Sequence, residues 1–298
     1  MNISEDLHRI CNNVSFDEPM KLHTSFKIGG PCDIFCEPES VLEIKSLIKY
    51  FKDNAIKFMI MGNGSNMLVS DSGIEGAVIK IGKKLGEIKV SGDEIYAEAG
   101  ALLSKTANVA LNNELSGMEA ISGIPGSVGG AVYMNAGAYG TEMKDVLKEV
   151  TFITPDGDIK TLGCDMLELG YRKSIFTDSE NVVLSCVFKL SKGDKSEILE
   201  KMKDYTKRRN DKQPITYPSA GSVFKRPLGY FAGKLIEDSG LKGYSIGGAM
   251  ISELHAGFII NYNDATCEDV KNLIEYAQKT VFEKFGVKIE PEIKIIGR

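Results

Sequence analysis

No run of about 18 apolar residues, the least a helix needs to cross a bilayer, occurs in the sequence. A membrane span is therefore not expected. The opening stretch MNISEDLHRICNNVSFDEPM lacks a basic segment followed by an apolar one, so no secretory signal is expected and the cytoplasm is the expected compartment. Basic charge is not in excess either: 36 Lys and Arg face 41 Asp and Glu, a formal charge of -5, which argues against a nucleic-acid partner. The one basic cluster, Lys207-Arg208-Arg209 with Lys212, reads as the solvated end of a helix. Six cysteines include no CxxC pair and no accompanying histidine spacing, so neither zinc nor any other metal is expected. Cys32 and Cys36 are near enough in sequence to pair, but buried free thiols suit a reducing compartment better. The three histidines, His8, His23 and His255, read as hydrogen-bonded structural residues.

What is present is an ordinary globular composition, 43% hydrophobic and 26% charged, in 298 residues. That length exceeds what one core fills, so more than one domain is expected. Ser40 followed by Val41, Ile44, Leu47, Ile48 and Phe51 predicts a capped amphipathic helix. KFMIMG then reads as a buried strand running into GNGSN, and a hairpin is expected around Ser91-Gly92-Asp93. A helix is predicted over roughly 102–115 and another over 195–209, with strands between them. The tail predicts a short helix near 231–239, a long helix after the cap-like Asn263-Asp264 to about Phe285, and a last strand in EPEIKIIG. Helices and hairpins that do not alternate strictly predict an α+β protein.

Two glycine-rich loops dominate, GNGSN at Gly62 to Asn66 and GIPGSVGG at Gly123 to Gly130, the second opening a stretch to Gly140 with almost no charge. Glycine lets backbone approach a ligand closely, and successive amides can then cradle an anionic group. Neither loop is a phosphate-binding Walker motif, since no Gly-Lys-Ser/Thr follows, and neither sits in the usual dinucleotide setting. For one such loop alone, a tight turn or a crowded crossing of chain segments is the favoured explanation. Two of them, both poor in charge, suit a large, flat, dianionic ligand met by amides instead of lysines.

Ser222, in AGSVFKRP, is a turn hydroxyl on its spacing alone; with Lys225 and Arg226 nearby it is also a candidate proton donor. GxSxG is absent, and no histidine lies close enough in sequence to serve as its base. Arg172 in GYRKS and Glu292 in EPEIKIIG read, on spacing alone, as surface residues.

Taken in order, HTSFKIGGP, MGNGSNMLV, SGIPGSVGGAVYMNAGAYG, YRKS, AGSVFKRP, FAGKLIEDSGLKG and PEIKIIG resemble the UDP-N-acetylenolpyruvoylglucosamine reductases of bacterial peptidoglycan precursor synthesis. The likeness runs from about Lys21 to Gly297. It implies a three-domain flavoprotein with a FAD-binding fold of the vanillyl-alcohol-oxidase (PCMH) type plus a C-terminal substrate-binding α+β domain. The implied divisions are 1–80 with the terminal strand 290–298, 81–204, and 205–289. The resemblance implies non-covalent FAD held by Gly62, Asn63, Gly64, Ser65 and Asn66 and by Gly123, Ile124, Pro125, Gly126, Ser127, Gly129 and Gly130. It implies NADPH as co-substrate and enolpyruvyl-UDP-GlcNAc as the molecule reduced. Arg172 and Glu292 would stabilise the enolate that forms, Glu292 as a proton-bearing donor with Glu290 as the rival, and Ser222 would protonate the carbon. Lys212 and Arg226 would meet the substrate diphosphate. Arg226 stands where many relatives carry Asn, and Gly257 likewise. No insertion lies between Leu167 and Asn181, as in the shorter, second type of the family. A monomer working on small molecules alone is expected.

Overall fold

The structure, a computed structural model, describes residues 3–298. The chain forms two compact units, each with its own apolar core. The first takes the chain up to Phe16, Ile34–Asn63 and Gly76–Arg208; the second takes Asp17–Asp33, Gly64–Glu75 and Arg209–Arg298.

The first unit is built on a five-stranded antiparallel sheet in the order Ile159–Gly163, Leu147–Ile153, Val182–Lys189, Glu94–Glu98, Ile88–Ser91. The last two strands form the expected hairpin, with Gly92 at φ +64° in the first central position of a two-residue turn, which a side chain would strain. The Val41–Asp53 helix begins where expected because the Ser40 hydroxyl accepts the Glu43 N–H at 3.2 Å. Its Ile44, Leu47, Ile48 and Phe51 are buried, worth about 1.5–3 kcal/mol each relative to exposure. Phe58–Met61 runs parallel to Ile74–Lys80 in a second, four-stranded sheet completed by Val14–Pro19 and Pro31–Cys36.

In the second unit, the Cys267–Phe285 helix buries Val270, Leu273, Ile274, Ala277 and Val281 near an antiparallel sheet of Ser245–Ile246, Ala249–Ile251 and Ile259–Asn261. The helix starts later than Asn263-Asp264. Thr266 and Asp269 form a capping box instead, the Thr266 hydroxyl accepting the Asp269 N–H at 3.0 Å, while Asp264 takes φ +49° outside the helix. Gly286, at φ +66°, ends it. Of EPEIKIIG only Lys294–Ile296 is a strand, paired in parallel with Met67–Val69.

The content is thus α+β. All six cysteines are free, and burial pushes the thiols of Cys11, Cys32 and Cys267 up to about 11, which keeps them protonated and unreactive. No helix among the described residues is long and apolar enough to cross a membrane.

Candidate active site

In the first unit the two glycine loops meet. The Phe58–Met61 strand delivers Gly62 against Ser127, whose Oγ fills the space that any Cβ on residue 62 would need. The Asn63 amide donates to the Pro125 carbonyl at 3.3 Å. Ser127 also caps the Val128–Tyr133 helix, its Oγ accepting the Gly130 N–H at 3.3 Å. Gly129 lies on Ala99: its N–H donates to the Ala99 carbonyl at 2.9 Å, and a Cβ there would come 2.8 Å from the Ala99 Cβ. The Leu103 and Val128 amides, donating to Gly126 O and Ala101 O at 3.0 and 2.8 Å, fasten the loop to the start of the Leu103–Asn112 helix. At Gly62 and Gly129, therefore, crowding of chain on chain already requires glycine. Within this unit, 62–63 and 123–130 carry no charged side chain.

Arg172 lies in the same unit. Gly170 and Lys173 exchange backbone hydrogen bonds, 3.0 Å and 3.2 Å, closing a turn with Tyr171 and Arg172 at its centre. Arg172 has φ +55°, a left-handed conformation that costs a residue other than glycine about 1–2 kcal/mol. Its guanidinium carbon lies 5.0 Å from the centre of the Tyr171 ring. The turn rests on Asn135, a buried side chain whose Nδ2 donates to the Gly170 carbonyl at 2.9 Å and to Glu142 Oε2 at 3.0 Å.

In the second unit, Gly64 takes φ +61° and its carbonyl accepts the Ser25 N–H at 3.1 Å. Two residues on, the Asn66 amide donates to the Glu292 carbonyl at 3.3 Å, and the Lys294 N–H donates to Asn66 O at 3.0 Å. Glu292 is tied in turn to the segment carrying Ser222. Its N–H donates to Val223 O at 2.6 Å, and Phe224 bridges Pro291. Ser222 bridges Phe258 on the other side, where the Val223 N–H donates to Gly257 O at 2.9 Å. The structure thus brings Asn66, Ser222 and Glu292 into adjacent segments. Glu292 is half-buried, whereas Glu290 is exposed and accepts Lys225 Nζ at 3.2 Å.

Arg226 is exposed, its guanidinium carbon 3.9 Å from the Phe231 ring centre, and Lys212 is the exposed last residue of the Lys195–Lys212 helix. Gly257 faces His255: the Gly257 N–H donates to His255 Nδ1 at 3.1 Å, and a Cβ on residue 257 would come 3.0 Å from the ring. Burial, reinforced by Lys242, pushes the His255 imidazole below its usual value. Asn135 was missed in the sequence, although asparagine after a glycine-broken helical run is a recognisable left-handed signal.

Comparison with known proteins agrees at both ends of the chain. Residues 32–163 match a family described as FAD binding domain, and residues 213–296 match one described as UDP-N-acetylenolpyruvoylglucosamine reductase, C-terminal domain. A UDP-N-acetylenolpyruvoylglucosamine reductase of Caldanaerobacter subterraneus subsp. tengcongensis is 56% identical over 281 residues, covering 94% of this chain and 93% of that protein. One from Alkaliphilus oremlandii is 51% identical, covering 95% and 93%. The crystal structure of the Thermus caldophilus reductase superposes with a TM-score of 0.81 at 34% identity, covering 95% of this chain and 98% of that one. The fold alone is shared with Physcomitrella patens BBE-like 1, at a TM-score of 0.50 and 14% identity over 64% of this chain and 45% of that one.

Proposed function

Since the chain belongs to the UDP-N-acetylenolpyruvoylglucosamine reductase family, we propose that it is an FAD-dependent oxidoreductase of peptidoglycan synthesis. It uses NADPH to reduce UDP-N-acetyl-3-O-(1-carboxyvinyl)-glucosamine to UDP-N-acetylmuramate. The observation that carries this reading is the meeting of the two glycine loops at Gly62 and Ser127, inside the span matched by the FAD-binding family.

The residues present suit FAD. The surface made by 62–63 and 123–130 carries no charged side chain, and a Cβ on Gly62 would disrupt it. Gly62 to Asn66 and Gly123 to Gly130 would hold the cofactor, whose dianionic pyrophosphate is then met by backbone N–H groups. Neither segment contains a His or Cys to bond a flavin covalently. When bound, FAD supplies the two-electron chemistry that links NADPH to the enolpyruvyl double bond.

The chain's own residues manage charge and proton. As reduction proceeds, negative charge grows beside the substrate carboxylate, where groups poised for that charge lower the barrier most. Arg172 supplies a permanent cation. Glu292 is the second group set against that charge. Ser222 gives its Oγ proton to the carbon that carries the ether oxygen and the carboxylate. Lys212 and Arg226 hold the diphosphate, Arg226 in the two-pronged way a guanidinium offers. On this reading, 1–80 with 290–298 and 81–204 serve FAD, and 205–289 serves substrate.

Anaerobic mixing tests the proposal. NADPH should bleach the flavin absorbance of the yellow protein, and enolpyruvyl-UDP-GlcNAc should restore it. Recovery only on admitting air would mark an oxidase, and a protein that stays colourless when supplied with FAD would overturn the reading.

A further inference from the structure

We propose that Asn135 is the positioning residue for Arg172, fixing the arginine from the helix that follows the second glycine loop. This rests on the role of Arg172 in reduction of the substrate.

Asn135 is polar and fully buried, with 0% exposure. A buried amide is tolerated only when paired, and every polar atom of this side chain is used. Nδ2 donates to Gly170 O and Glu142 Oε2, and Oδ1 accepts the Lys144 N–H at 3.0 Å. Asn135 takes φ +41°, two residues beyond the end of the Val128–Tyr133 helix. Gly170, its partner 35 positions away, opens the turn in which Arg172 is held at φ +55°. A strained residue keeps its conformation only where its surroundings over-determine it. Here they do so twice. Asn135 pins the front of the turn, and beyond it Ser174 Oγ donates to the Tyr133 carbonyl at 2.7 Å, on the same helix end. That helix begins at Ser127, which abuts Gly62. The placement of Arg172 is thereby referred to the surface proposed to hold the cofactor.

The test compares Asn135→Asp, which keeps shape and left-handed tolerance but loses the Nδ2 donor, with Asn135→Gly, which keeps the backbone free to adopt φ +41° and removes the side chain. Each is studied as the FAD-loaded enzyme, alone and combined with Arg172→Ala. Both should leave flavin reduction by NADPH within about twofold and slow reoxidation by enolpyruvyl-UDP-GlcNAc by about 10- to 100-fold, the range for a displaced catalytic group. In the Arg172→Ala background neither should slow reoxidation further. Hydrogen exchange at the Lys173 amide of the cofactor-free protein should quicken, with the Val128–Tyr133 helix unchanged. Normal reoxidation in both Asn135 variants beside an impaired Arg172→Ala would overturn this proposal alone. So would effects that add in the double variants, or loss of folding or of flavin in both, which would make Asn135 a residue of the fold only. An unimpaired Arg172→Ala would overturn the role of Arg172 itself, and the proposal with it.

Discussion

Ser127 Oγ occupies the place where a side chain on Gly62 would begin, so two loops some sixty residues apart in sequence are interlocked through one hydroxyl and one missing methyl group. Gly62→Ala must push Ser127 away, at a cost of about 1–3 kcal/mol for overpacking. Ser127→Ala alone loses the cap on the Gly130 N–H, about 1 kcal/mol. The double variant should cost less than the sum, because removing the hydroxyl makes room for the new methyl. Denaturant unfolding of the cofactor-free protein measures this, and a flavin-fluorescence titration should show FAD affinity falling most in Gly62→Ala.

Ser222→Ala should separate the two half-reactions. Reduction by NADPH should stay within about twofold, while reoxidation by the enolpyruvyl substrate slows by about 10²- to 10⁴-fold, the usual contribution of a positioned acid. Stopped-flow absorbance under anaerobic conditions reads both. Equal slowing of the two would remove Ser222 from the proton-transfer role.

Glu290 and Glu292 can be told apart by replacement. Glu290 is exposed and paired with Lys225, so Glu290→Ala should cost at most about 1 kcal/mol of stability and leave kcat within about twofold. Glu292→Ala should lower kcat by about 10²- to 10³-fold, the loss typical of one donor to a developing oxyanion. The opposite ranking would transfer the acid's role to Glu290.

His255 makes a pH-dependent contribution. Burial holds its imidazole below the ordinary 6.5, with Lys242 adding to the effect, so the fold favours the neutral ring. Between the folded-state value and 6.5 the unfolded chain binds the proton more readily. The stability that the neutral ring supplies is therefore complete above 6.5 and is lost as the pH falls through the folded-state value. His255→Asn keeps an acceptor for the N–H two residues on and cannot titrate. The wild-type minus variant difference in melting temperature should fall as the pH is lowered below 6.5. A constant difference would show that the ring carries no such linkage.

Much of this was legible in the sequence, for identifiable reasons. The Ile44, Leu47, Ile48 and Phe51 spacing and the Ser40 cap are local signals, and the helix they predict is the one formed. The glycine loops announced close approach, though composition alone did not show that at Gly62 and Gly129 the approaching partner is the protein itself. The Val128–Tyr133 helix was hidden by its own Gly129 and Gly130, which carry poor helix propensity overridden by the Ser127 cap and by packing. At Asn135 the sequence signals a left-handed turn, but not the bond to Gly170, because no periodicity connects residues that far apart. The start at Thr266 was masked by the equally cap-like Asn263-Asp264 just before it.

The pairing of Met67–Val69 with Lys294–Ile296 has a consequence for how the protein is made. Everything the first unit packs has been synthesised by Arg208, so that unit is free to mature while translation continues. The second cannot close: Leu68, fully buried in its core, waits for Ile289 and Ile293, more than two hundred residues downstream. On the nascent chain Met67–Val69 therefore lacks its parallel neighbour until Lys294–Ile296 has been made.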